Sequence, residues 1–152
     1  MKKNVFKLLM LTVWLAYMFF MLWMFFKPFS TEQSVMLFGF WQKYLSWLSI
    51  PPDKLVHFCL FVPVPIISLL PCKVFNIRLK YLCMVGFGVF FSGFTEIVQC
   101  YIPYRSGDII DFAADMTGFA LGLIFAVLIS TIAGILANGR RNHQDNGVPK
   151  KF

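Results

Sequence analysis

Glu96, Asp115 and His57 are the side chains of this sequence best suited to acid–base work or to holding an ion. Each is titratable, and each falls inside or beside an apolar segment. A carboxylate within a membrane-spanning helix costs about 2.5 to 3.5 kcal/mol on insertion scales, so such residues are functional candidates by default. Helical spacing groups them with others. Asp53 and His57 are four apart and share a face. Glu96 and Gln99 are three apart, with Ser92 and Gly93 one turn below. Asp111, Asp115, Gly118 and Gly122 form one stripe, and Gly118-x3-Gly122 is a small-residue face that admits a neighbouring backbone. The acids on that stripe therefore point into a bundle.

Asp53, His57, Glu96, Gln99, Arg105, Asp108, Asp111 and Asp115 make up the candidate ligand-binding set, with Glu96, His57 and Asp115 as candidates for proton transfer. Structural alternatives stand beside these roles. Asp108 suits a helix N-cap, and Asp111 complements the positive end of the helix dipole. Asp115 lies a full turn deeper, where capping does not account for it. Glu96 is either functional or half of a buried pair with Arg105, whose planar fork also suits an anion. His57 is an acid–base group, a metal ligand or a satisfied interior partner of Asp53 or Glu96. Gln99 reads as an interhelical hydrogen-bonding residue, and Lys54 as a side chain snorkelling to the interface. Five carboxylates facing only Lys54, Arg105 and an ionisable His57 must take up protons or bind a cation. The expected occupant is a shared proton or a divalent cation such as Mg²⁺ or Ca²⁺, which favour oxygen ligands. Cys59, Cys72, Cys83 and Cys100 show no metal-ligand spacing and read as buried thiols, with a Cys59–Cys100 disulfide left open. A G-x-S-x-G nucleophile motif is absent.

These residues need elements to position them, and composition says which. The 152-residue chain is 59% hydrophobic and 14% charged, against about 25% charged in soluble domains. An all-α membrane protein follows: a four-helix bundle with spans at Val5–Phe26, Leu55–Leu70, Tyr81–Tyr101 and Ile109–Ala137. Pro63 and Pro65 each remove a backbone donor, which predicts a kink around Val62–Pro65. The first span follows Lys2, Lys3 and Lys7, but its apolar run is too long for a signal peptide, so it is retained. Between spans one and two, Met36–Leu48 is too short to cross; Trp41, Tyr44 and Trp47 place it at headgroup level as a short interfacial helix, or else as a loop on the bundle. Residues 1–137 thus form a single membrane domain, and 138–152 a disordered polar tail.

The net charge of +7 sits at the edges of apolar segments, without a basic face bearing interleaved aromatics, so lipid rather than nucleic acid is the partner. Counting Lys and Arg fixes orientation. With the N-terminus inside, ten (Lys2, Lys3, Lys7, Lys73, Arg78, Lys80, Arg140, Arg141, Lys150, Lys151) are cytoplasmic and four (Lys27, Lys43, Lys54, Arg105) are outside. Both termini are then cytoplasmic, and every acid except Asp145 lies on or near the outer side.

The ordered set Asp53-Lys-Leu-Val-His57, Glu96-x-x-Gln99, the run I-P-Y-R-S-G-D ending at Asp108, and Asp111, Asp115 and Gly118 resembles the VanZ-like family over residues 53–122. One departure is Asp115, where Asn is common in the family pattern. The resemblance implies a bacterial cytoplasmic-membrane protein of the cell envelope. It further implies a non-enzymatic accessory factor in low-level resistance to teicoplanin-type glycopeptides, engaging a lipid-linked or headgroup ligand. A membrane enzyme acting on such a substrate through Glu96, Asp115 and His57 is the competing reading.

Overall fold

The computed structural model describes residues 2–27, 39, 43, 51–103 and 107–146, with side chains at all of these except 2, 52 and 140–146. The elements among them are helices: α1 (Lys2–Phe26), α2 (Pro52–Phe61), α3 (Pro63–Val74), α4 (Lys80–Gln99) and α5 (Ile109–Asn146). Four stretches are long and apolar enough to cross a bilayer: Lys3–Phe26, Asp53–Val74, Lys80–Gln99 and Ile109–Gly139. The expected interfacial helix at Met36–Leu48 lies outside the described residues apart from Gly39 and Lys43, both helical.

Helices α2 and α3 together make the second span. Pro52 occupies the first helical position, where a missing N–H costs nothing and the fixed φ is already helical. The interruption falls at Val62, inside the stretch where the sequence predicts a kink. Pro63 and Pro65 leave the carbonyls of Cys59 and Phe61 without their helical N–H partners. Val62 nevertheless keeps right-handed helical dihedrals (φ −56°, ψ −46°), so the backbone passes from α2 to α3 without leaving the helical region. After α3 the chain reverses through Asn76 at φ 51°, and Ile77 N–H donates to the Cys72 carbonyl (3.0 Å). That is the left-handed helix stop for which Asn substitutes for glycine.

Helix α5 packs along both α2 and α3, and its glycines are the reason. A side chain at Gly118 would collide with the Phe58 carbonyl, and one at Gly122 with the Val62 carbonyl. Both neighbours are backbone and cannot rotate away, so the two helices approach at a distance only glycine permits. On the α4 side, the Phe119 ring covers Gly88. Met18, Met21, Phe25, Phe61, Val64, Met84, Phe91 and Phe119 fill the centre. The Phe25, Phe61 and Phe91 rings succeed one another at 5.9 and 6.1 Å. Outward, large apolar side chains such as Leu8, Phe19, Phe90, Ile97 and Ile124 are exposed on the spans, as a surrounding bilayer requires.

Helix α5 corrects one expectation. The polar tail was expected to begin at residue 138 without structure, but the helix continues to Asn146. Arg140, Arg141 and Gln144 are good helix formers and propagate a helix already nucleated, in spite of Gly139. Residues 147–152 lie outside the described residues.

Candidate functional site

At one end of the bundle, the start of α2, the end of α4 and the start of α5 converge, and the candidate residues meet in two layers. The upper layer is an ion-pair cluster. Lys54 Nζ lies 2.6 Å from Asp108 Oδ2 and 2.5 Å from Asp111 Oδ1, with Asp53 farther off at 3.9 Å. Its side chain is only 14% exposed. Lys54 therefore does not snorkel to the interface as its sequence position suggested; two acids on the facing helix hold it inward. Asp108 also accepts a hydrogen bond from Ile110 N–H (2.9 Å) through Oδ1, so it caps α5 as expected of an Asp there. The Lys54 ammonium and this backbone donor hold the Asp108 carboxyl below the usual carboxylate range.

One turn deeper lies the second layer, built from one residue of each of three helices. His57 is buried on α2, and its Nδ1 is hydrogen-bonded to Asp115 Oδ1 on α5 at 2.9 Å. Asp115 is fully buried; its other oxygen accepts from Ser92 Oγ on α4 at 2.7 Å. Glu96, one turn above Ser92, places Oε1 3.7 Å from the same His57 nitrogen. Glu96 Oε2 is held by the Asp108 N–H at 3.0 Å. Gly107 makes that bond reachable, since a side chain there would strike Cys100 Sγ and the Glu96 carbonyl. Glu96 Oε1 is itself buried and has no hydrogen-bond partner. Phe25 of α1 closes the floor, its ring 4.7 Å from the imidazole.

Gln99 is buried but points elsewhere. Its Nε2 donates to the Phe25 carbonyl (3.3 Å), one of the last-turn acceptors of α1 that lacks a helical partner. Asp53 stays at the rim with its side chain 48% exposed. Arg105, with the neighbouring Tyr104 and Ser106, lies outside the described residues. Of the proposed residues, then, His57, Glu96 and Asp115 converge, Asp108 and Asp111 stand above them, and Gln99 and Asp53 are peripheral. Sequence reasoning gave no role to Ser92 or to Lys54 as an ion-pair centre. Both had a signal: Ser92 sits one turn from Glu96 on the same face, and Lys54 is a cation beside Asp53 in an otherwise apolar span.

A family model described as VanZ/LLP1 matches residues 6–130. The chain belongs to the VanZ/LLP1 family. The match takes in the first span as well as the motif-bearing region 53–122, and so all three helices that supply the VanZ centre. No curated protein matches the chain, and neither does any solved structure.

The arrangement in this VanZ-family chain can hold a proton or an ion between an imidazole and two carboxylates. His57, Glu96 and Asp115 each offer one atom to a common point, all within 4.8 Å of one another. It is poorly set up for nucleophilic attack. The Ser92 hydroxyl donates to Asp115 rather than to His57, so the imidazole is not placed to take its proton. All four cysteines are free, so no Cys59–Cys100 bridge ties α2 to the end of α4.

Proposed function

We propose that this VanZ-family membrane protein is a non-enzymatic factor of the bacterial cell envelope, residing in the cytoplasmic membrane with both termini inside. Its outward-facing acidic site engages the headgroup of a lipid or lipid-linked ligand and so changes susceptibility to teicoplanin-type glycopeptides. The observation that carries the binding role is Glu96 Oε1, a buried carboxylate oxygen without a hydrogen-bond partner at the mouth of a three-helix polar centre. An oxygen left so costs about 1 to 3 kcal/mol or more, being charged, and a ligand that satisfies it recovers that free energy. The outward orientation rests on the ten-to-four distribution of Lys and Arg.

The experiment is expression in a susceptible Gram-positive host with teicoplanin inhibition as the readout. The wild-type chain raises the inhibitory concentration, and Glu96→Gln, at equal membrane level, does not. An unchanged inhibitory concentration with the wild-type protein confirmed in the membrane rejects the reading.

The second reading, a membrane enzyme with Glu96 or Asp115 as base and His57 as acid, draws on the 3.7 Å approach of Glu96 Oε1 to His57 Nδ1. Turnover of lipid-linked headgroups by the purified protein, abolished in Glu96→Gln, would favour it over simple binding.

A further inference from the structure

The two carboxylates of the deeper layer share a design. Asp115 commits Oδ2 to Ser92 Oγ (2.7 Å) and turns Oδ1 to the centre. Glu96 commits Oε2 to the Asp108 N–H (3.0 Å) and turns Oε1 to the same centre, without a hydrogen bond. Each carboxylate is thus fixed from behind by a donor on another residue, as the outer-shell partners of metal ligands are. The third atom is His57 Nδ1, at 2.9 Å from one oxygen and 3.7 Å from the other. Ligands bound about 2.0 to 2.2 Å from one ion and adjacent in its shell lie roughly 3.0 to 3.5 Å apart, close to these two separations, and the three residues' donor atoms all lie within 4.8 Å of one another.

Charge points the same way. Lys54 already serves Asp108 and Asp111. Among the described residues, that leaves one imidazole to balance the buried Asp115 and the partly buried Glu96, and a protonated imidazole would still leave a net negative charge. A divalent ion removes it.

We infer that His57 Nδ1, Glu96 Oε1 and Asp115 Oδ1 form a binding site for a divalent transition metal of the zinc or manganese type. The imidazole donor favours zinc over the Mg²⁺ or Ca²⁺ expected from carboxylates alone, which prefer all-oxygen shells, while the two carboxylates also admit Mn²⁺. Binding displaces the proton that Nδ1 shares with Asp115, and that proton passes to solvent. Three protein ligands leave further coordination positions open for water or for an oxygen of a ligand. This last point rests on the headgroup reading above, because a cation converts a site that repels phosphate into one that accepts it. The metal site itself does not depend on that reading.

The test uses the full-length, untagged protein in detergent, stripped with chelator and titrated with Mn²⁺ under EPR. One ion per chain is expected. Binding should weaken as pH falls, Zn²⁺ should displace Mn²⁺, and Mg²⁺ at the same concentration should not. Glu96→Gln should abolish binding. Ser92→Ala retains all three ligands and should weaken it about 10- to 100-fold, the usual effect of losing an outer-shell partner. Absence of stoichiometric Mn²⁺, displacement by Mg²⁺ as readily as by Zn²⁺, or affinity unchanged in Ser92→Ala and Glu96→Gln overturns the inference. Mn²⁺ binding without any teicoplanin effect rejects the envelope reading and leaves the metal site standing; a teicoplanin effect without metal does the reverse.

Discussion

Replacing Lys54 by Met removes the charge at the centre of the upper layer and keeps most of the side chain's length. The two acids it serves differ in surroundings. The Asp108 side chain is 35% exposed, so solvent screens that pair and it adds little. The Asp111 side chain is only 5% exposed, and breaking a buried pair by removing one partner costs about 3 to 5 kcal/mol, because the remaining charge has neither water nor counterion. The second contribution dominates, so Lys54→Met should destabilise the protein by about 3 kcal/mol or more. At about 2 to 4 °C per kcal/mol for a chain of this size, the melting temperature in detergent falls by roughly 6 to 12 °C. Adding Asp111→Asn removes the stranded charge and should restore more than half of that loss, whereas Asp53→Asn in the same background should restore little. A melting temperature unchanged by Lys54→Met refutes the buried-pair argument, and so does a double variant with Asp111→Asn no more stable than the single one.

The glycine stripe makes a sharper geometric claim. Gly118→Ala and Gly122→Ala place a methyl group against fixed backbone at Phe58 and Val62 and should each cost about 1 to 3 kcal/mol. Gly134→Ala, with open space around it, should be neutral or mildly stabilising, so thermal melts giving the three variants one common effect would remove the close approach of α5 to α2. Asp108 gives a pH dependence. Its carboxyl is depressed in the folded protein, so its contribution is present above the unfolded value near 3.9 and is lost as pH falls through the lower folded value. Asp108→Asn keeps an N-cap oxygen but not the charge, and should flatten the acid limb of melting temperature against pH. An acid limb equal in the variant and the wild type assigns it to other groups.

Long periodic features of this chain are legible without coordinates because lipid imposes them one helix at a time. The four spans, the bend at Pro63 and Pro65, and the small-residue face at Gly118 and Gly122 each follow from a local rule about backbone donors, length or volume. The site is legible to the point where partners must be chosen. His57 has Asp53 one turn away on its own helix, and sequence spacing offers that pair first. The structure gives it Asp115, because Gly118 and Gly122 draw α5 against α2 until the stripe that carries Asp115 faces the imidazole. The same approach delivers Asp108 and Asp111 to Lys54. A residue that reads alone as a snorkelling cation is thereby enclosed. Choices of this kind depend on the rotation and depth of one helix against another, which intrahelical spacing does not contain.

Stability alone gives no reason to keep the deeper layer polar. A carboxylate near the bilayer costs about 2.5 to 3.5 kcal/mol on insertion scales, and replacing a buried ionic group with well-packed apolar residues is often neutral or stabilising by about 1 to 4 kcal/mol. Phe25, Phe61, Phe91 and, from α5, Phe119 already provide an apolar core among these helices. The chain nonetheless places two carboxylates around one imidazole, supports each from behind, and leaves Glu96 Oε1 without a hydrogen bond. In the layer above, by contrast, Lys54 meets Asp108 and Asp111 at 2.6 and 2.5 Å. The Glu96 oxygen without a hydrogen bond is the feature of this layer that packing leaves unexplained, and it is what the proposed occupant would satisfy.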